Sequence, residues 1–182
     1  MKKLSPIENV VRVIFPLTMI RDGELLPAAF KLREMTEGPE KYISIFRQYA
    51  ESFNADVTSF DNGRNLPCCI MNVGEVDAIR LMIRGNRVNY RVEAIPTPTY
   101  LSHGGIFLTI GDIPIEGNGL SAFTALNIGE ESAFHMVAIR RRLMEIAKKR
   151  ITTLPLLVSY NTSSSPQLPN SSTPQLLNSS NL

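Results

Sequence analysis

The chain has no Trp, and only two Cys and two His among its 182 residues. Cys68 and Cys69 are neighbours, and adjacent residues do not readily meet disulfide geometry, so no bridge within the chain staples the fold. This cysteine usage predicts a reducing, cytoplasmic setting. The two histidines, His103 and His135, lie far apart in sequence, and with an adjacent Cys pair they match no zinc spacing, so no metal site is expected. There is no Walker loop and no dinucleotide fingerprint between a strand and a helix, so no cofactor is expected either. No apolar run approaches the ~18 residues that a membrane span needs. Met1-Lys2-Lys3-Leu4 looks like the start of a signal peptide, but Glu8 and Arg12 interrupt the apolar stretch and no small-residue cleavage site follows.

Charge is also missing after Arg150: the following 32 residues carry none. Within them, Ser163-Ser164-Ser165-Pro166-Gln167-Leu168-Pro169-Asn170 is followed by Ser171-Ser172-Thr173-Pro174-Gln175-Leu176-Leu177-Asn178, and a further copy starts at Ser179. An eight-residue period of Ser, Thr, Pro, Gln and Asn matches no solenoid repeat and has little surface to bury. Residues 156–182 are therefore expected to be a disordered low-complexity tail, and residues 1–155 a single domain.

What remains, 43% hydrophobic and 20% charged, is ordinary for a packed domain. It reads as α+β: a mainly antiparallel sheet packed by helices near 48–60 and 130–150. Val10 to Phe15 is β-branched and aromatic, and Tyr42 to Arg47 and Cys68 to Val73 are further strand candidates. Asp22-Gly23 is a turn after which residues 24–32 are expected to return antiparallel. Tyr49, Phe53, Val57 and Phe60 recur at helical spacing. Residues 76–95 read as a hairpin turning at Gly85-Asn86, because Gly at the first central position signals a type II′ turn. Residues 96–105, rich in Pro and Gly, read as a loop.

That hairpin register sets Arg84 opposite Arg87 and Arg80 opposite Arg91, with Ile79, Leu81, Ile83, Val88, Tyr90 and Val92 on the other face. Like charges directly opposite one another destabilise a ribbon, which calls for an explanation. Either the four arginines form a site for an anionic partner, or they splay into water and pair with carboxylates such as Glu93 and Glu75. The 130–150 helix adds Arg140, Arg141 and Arg142; over residues 133–150 the local charge is +5, in a chain whose net charge is only +2. Its last-turn cations complement the helix dipole, whereas Arg140 to Arg142 are not explained in that way.

Chemistry, if present, centres on His103. It lies in the run Ser102-His103-Gly104-Gly105, where the glycines would let backbone amides turn toward an anion. A Ser beside a His in sequence does not make a nucleophile–base pair. Cys68 and Cys69 lack a named base, and strand alternation buries at least one of them.

Pro27-Ala28-Ala29-Phe30, Ser44-Ile45-Phe46-Arg47, Gly63-Arg64 before an apolar strand ending at Val73-Gly74, and Ser102-His103-Gly104-Gly105-Ile106 together carry a resemblance. Residues from about 10 to 110 resemble a loose family of small bacterial proteins, with Gly104 where that pattern carries Ala. The resemblance implies a bacterial intracellular setting, draws attention to Arg47 and His103, and implies no activity and no site.

The leading expectation is a non-enzymatic binding module for an anionic partner, nucleic acid or an acidic protein, through Arg80, Arg84, Arg87 and Arg91, with Arg140 and Arg141 adding charge. The alternatives are a small hydrolase or phosphodiesterase-like enzyme centred on His103, with Arg47 or Arg64 clamping an anion, and a protein-interaction subunit without a ligand. No membrane partner is expected.

Overall fold

The β-branched and aromatic segments form the central strands, in which consecutive residues are buried on opposite faces. The structure is a computed structural model that describes residues 2–15 and 19–154, with backbone alone at 34 and 35. The eight-residue repeat, and with it the tail expectation, lies outside the described residues.

In chain order the strands are β1 (Lys2–Lys3), β2 (Asn9–Val13), β3 (Ile20–Arg21), β4 (Glu24–Leu25), β5 (Glu34–Met35), β6 (Gly38–Pro39), β7 (Ile43–Arg47), β8 (Pro67–Asn72), β9 (Leu81–Ile83), β10 (Asn86–Ala94), β11 (His103–Ile110), β12 (Ile113–Pro114) and β13 (Ile151–Thr153). The helices are α1 (Phe53–Asp61), α2 (Val73–Asp77), α3 (Leu120–Ala125) and α4 (Ser132–Ala147). Nine strands make one sheet, in the order β1-β10-β11-β7-β2-β8-β13, with β9 added to β10 and β12 to β11. Every pairing is antiparallel, so the fold is α+β.

Because side chains alternate across a strand, the sheet feeds two apolar layers. Val10, Ile43, Ile45, Met71, Tyr90 and Ile106 pack with Met136, Ile139 and Leu143 of α4. On the other side, Val11, Val13, Phe46 and Cys68 pack with Phe53 and Val57 of α1. Tyr90 Oη donates to the Ile139 carbonyl at 3.2 Å, which satisfies the one polar atom it carries into the α4 layer. Neighbouring Cys68 and Cys69 fall on opposite faces of β8, both fully buried.

Several local expectations change. The helices are shorter: residues 48–52 are turn before α1, and a 3-10 turn at 129–131 precedes α4. Residues 24–32 return antiparallel only at β4, then enter a 3-10 turn at 27–30 with Pro27 at its start. Val76 belongs to α2 and not to a strand, because the Asn72 side chain accepts from the Glu75 N–H at 3.3 Å and starts a helical turn there.

The hairpin turns at Arg84-Gly85, with φ +49° and +82°, and not at Gly85-Asn86. Two successive positive φ values match the type I′ turn that suits strand twist. Met82 therefore faces Arg87 and Leu81 faces Val88. The partners move by two residues, so the inward faces survive and Ile83, Val88, Tyr90 and Val92 are buried. The opposed Arg84–Arg87 pair does not form, which removes one like-charge repulsion.

The loop expected at 96–105 ends at 102, and β11 begins at His103. Gly104 pairs with Ala94 and Ile45, and Gly105 with Glu93 and Ser44. A Cβ on Gly104 would sit 2.7 Å from the Glu93 carbonyl oxygen, and one on Gly105 2.7 Å from Tyr42 Cδ2. Both glycines serve close packing in a strand, the role glycine takes where another group approaches the backbone.

Candidate functional site

The hairpin arginines disperse once the register is known. Arg84 leaves the ladder and meets Glu131 at 2.8 Å. Arg80 lies before β9, donating to the Asp77 and Ile79 carbonyls at 3.1 and 3.2 Å. Arg91 pairs with Glu93 at 2.7 Å, and its guanidinium carbon lies 5.7 Å from the Phe107 ring centroid. Arg87 is exposed on the same outward face of β10 as Arg91. On α4, Arg141 is exposed, while Arg140 is half-buried with no partner for Nε among the described residues, and burial lowers its pKa. Of the four hairpin arginines, Arg87 and Arg91 share the outward face of β10, while Arg84 turns to Glu131 before α4 and Arg80 lies outside β9.

A different site forms where β2 and β7 separate. These strands pair at Val10–Arg47 and Val11–Phe46, Gln48 N–H donates to the Asn9 carbonyl at 3.1 Å, and the ladder stops after Val11. Arg12, the one charged residue in an apolar strand, fills the gap that opens. Its Nη1 donates to the Ser44 carbonyl at 2.8 Å, and Nε and Nη2 both donate to the Ala29 carbonyl at 3.3 Å. The guanidinium so supplies donors to a strand carbonyl, Ser44, and to a carbonyl of the 3-10 turn, Ala29. Each terminal nitrogen keeps one N–H without a protein partner among the described residues.

No carboxylate of the described residues lies within ion-pair distance of Arg12. Desolvation lowers its pKa, the fields of Cys69 and Glu40 oppose that, and Arg33 adds to it. Arg33 itself is occupied: Glu40 takes its Nε at 3.2 Å and its backbone N–H at 2.8 Å.

Arg12 and Arg33 line a cavity of about 210 Å³ whose other walls include Phe15, Phe46, Phe60, Tyr100 and His103. Phe46 meets Phe60 and Tyr100 edge-on, with centroids 5.4 and 5.7 Å apart, and Phe60 meets Tyr100 at 5.9 Å. Such T-shaped contacts set the rings at fixed angles to one another. Arg64 stacks over Phe15 and Phe60, at 5.7 and 5.8 Å from the centroids, and so braces two of the wall rings.

His103 lines this cavity, and its Nδ1 lies 3.0 Å from the Ile95 carbonyl. A carbonyl only accepts, so Nδ1 carries the hydrogen, and in the neutral tautomer this leaves Nε2 as the acceptor. The loop before it is pinned from beneath: Asp56 Oδ2 accepts the Ser102 N–H at 2.7 Å, the Ser102 hydroxyl at 2.6 Å and the Ser52 hydroxyl at 2.9 Å. Burial acts to raise the Asp56 pKa, but these hydrogen bonds outweigh it and hold the carboxyl below its ordinary value.

Arg47 does not join His103. It shares the face of Ile43 and Ile45, away from the cavity, and reaches Glu8 at 3.8 Å. The thiols are no better placed: burial pushes both Cys68 and Cys69 up to about 12. Among the described residues no group of three or more His, Cys, Asp or Glu is placed to hold a metal ion, and no helix is long and apolar enough to cross a membrane.

In sequence, the arginines between 80 and 91 draw attention away from Arg12, Phe46, Phe60 and Tyr100. The available signal was Arg12 itself, a charge between Val11 and Val13 in a segment otherwise suited to burial. Fold and cavity together define an α+β protein with an arginine at the floor of an aromatic-walled cavity. The chain matches no protein-family model, no curated protein and no solved structure.

Proposed function

We propose that the chain is a non-enzymatic binding module for a small anionic ligand, seated in the cavity between β2 and β7. Arg12 carries this reading, as a guanidinium set into the sheet with no carboxylate in ion-pair range among the described residues. Arg12 is half-buried, and a charge partly withdrawn from water gains from pairing, so a bound anion would complete its shell. Buried Phe46 and half-buried Phe60 and Tyr100 lower the local dielectric beside Arg12, which strengthens such a pairing.

Nucleic acid at the hairpin has less support, since Arg84 and Arg91 are each paired with a glutamate. A hydrolase reading keeps one supporting observation, His103 in the same cavity as Arg12. Against it, no hydrogen bond joins His103 to the Ser44 or Tyr100 hydroxyl among the described residues.

Isothermal titration of the full chain with benzoate, acetate and inorganic phosphate tests the proposal. At least one of these anions should bind with single-site stoichiometry, and Arg12→Lys, which keeps the charge but loses the planar fork, should weaken it tenfold or more. No binding of any of them up to about 10 mM would overturn the reading.

A further inference from the structure

Resting on that reading, we infer that the ligand is a single-ring aromatic monocarboxylate whose ring bears a hydrogen-bond donor. Size comes first. A cavity of roughly 150 Å³ accommodates benzene, and the 210 Å³ here leaves room for a carboxylate and one small substituent but not for a nucleotide.

Charge narrows the class. Arg33 is held by Glu40, so Arg12 is the one guanidinium of the lining without a carboxylate partner. Arg12 and Arg33 less Glu40 leave one net positive charge, which matches a carboxylate, whereas a phosphate dianion would bring a second, unmatched negative charge beside the aromatic rings. The two unused N–H groups of Arg12 sit on its separate terminal nitrogens, and a carboxylate has two oxygens to meet them.

Shape selects the ring. Phe46, Phe60 and Tyr100 already make edge-to-face contacts with one another, and a flat aromatic guest extends that arrangement, while a puckered aliphatic ring does not. The donor follows from His103. With Nδ1–H given to the Ile95 carbonyl, the neutral tautomer presents Nε2 as an acceptor with no partner among the described residues, and a ring hydroxyl is the complementary group.

The test is a matched titration series on the full chain: 3- and 4-hydroxybenzoate, benzoate, cyclohexanecarboxylate, phenyl phosphate and inorganic phosphate. One of the hydroxybenzoates should bind about tenfold more tightly than benzoate, and benzoate about tenfold more tightly than cyclohexanecarboxylate and phenyl phosphate. In His103→Asn, whose amide can still donate to the Ile95 carbonyl, the hydroxybenzoate-to-benzoate ratio should fall to near one. Circular dichroism of that variant checks that it is folded, and His103→Gln serves as the second substitution if it is not. Tighter binding of either phosphate, still lost in Arg12→Lys, would overturn this ligand class while leaving the small-anion reading intact. Equal binding of benzoate and cyclohexanecarboxylate would overturn the aromatic assignment, and equal binding of hydroxybenzoate and benzoate would overturn the donor. Failure of every anion to bind would overturn both.

Discussion

The Arg84 guanidinium reaches the Glu131 carboxylate at 2.8 Å, joining the tip of the β9–β10 hairpin to the residue that precedes α4. The contact spans 47 positions of sequence and sits at a residue held at φ +49°. Left-handed backbone is unfavourable for Arg by roughly 1–2 kcal/mol, while an exposed ion pair contributes at most about 1 kcal/mol.

The turn strain should therefore outweigh the ion pair. Arg84→Asn supplies the residue that type I′ turns favour before Gly and is expected to leave stability unchanged or raise it by about 0.5–1 kcal/mol. Urea denaturation measures this, and a loss above about 1 kcal/mol would show that the ion pair dominates.

Gly104→Ala should destabilise the fold by roughly 1–3 kcal/mol, the range for overpacking a closed interior. The added Cβ would meet the Glu93 carbonyl oxygen at 2.7 Å, and backbone cannot rotate away as a side chain can. An unchanged urea midpoint would mean that β10 and β11 separate more easily than their pairing implies.

The Asp56 carboxyl lies below its ordinary value in the folded chain, so the unfolded chain binds more protons across that interval and stability rises with pH there. This contribution is fully present above the unfolded value of about 3.9 and is lost as pH falls through the folded value. Asp56→Asn should remove that component of the acid-side pH dependence. Asp56→Ala should lower stability at neutral pH by roughly 1–3 kcal/mol, because the buried Ser102 N–H loses its acceptor. Parallel acid titrations of Asp56→Asn and the parent chain would refute the assignment.

Cys68 and Cys69 should resist thiol reagents at pH 8 in the native chain, because both are fully buried with thiols pushed up to about 12. Labelling should track unfolding, with both thiols reacting together in denaturant. Fast labelling of one thiol under native conditions would show that β8 opens locally.

The hairpin shows what was legible and what was not. Period-two alternation placed Ile83, Val88, Tyr90 and Val92 on the inward face, and either two-residue turn preserves that parity. The register was not legible, since Gly85 can stand first in a type II′ turn or second in a type I′ turn. A glutamate far along the chain and the repulsion between arginines both bear on that choice. His103 to Gly105 read as loop because two glycines usually mark a turn; the reason for a strand lies in Tyr42 and the Glu93 backbone, which local reading does not reach. Arg12 stood out as a charge in an apolar strand, but its cavity exists because β2 and β7 part after Val11, and that divergence is tertiary.

Both margins of the large sheet are built from very short strands. Lys2–Lys3 and Leu81–Ile83 lie along β10, and Ile151–Thr153 lies along β8. Unpaired strand edges are templates for another chain, and brevity and lysine are two ways in which proteins blunt them. The nine-residue β10 is covered at 86–88 and 93–94 and the mostly apolar β8 at 67–69, which breaks up any continuous run of free amides and carbonyls. Removing Ile151 to Leu154 would uncover the β8 edge beside fully buried Cys68 and Cys69, and the consequence to expect is association between molecules through that edge, beyond any loss of stability.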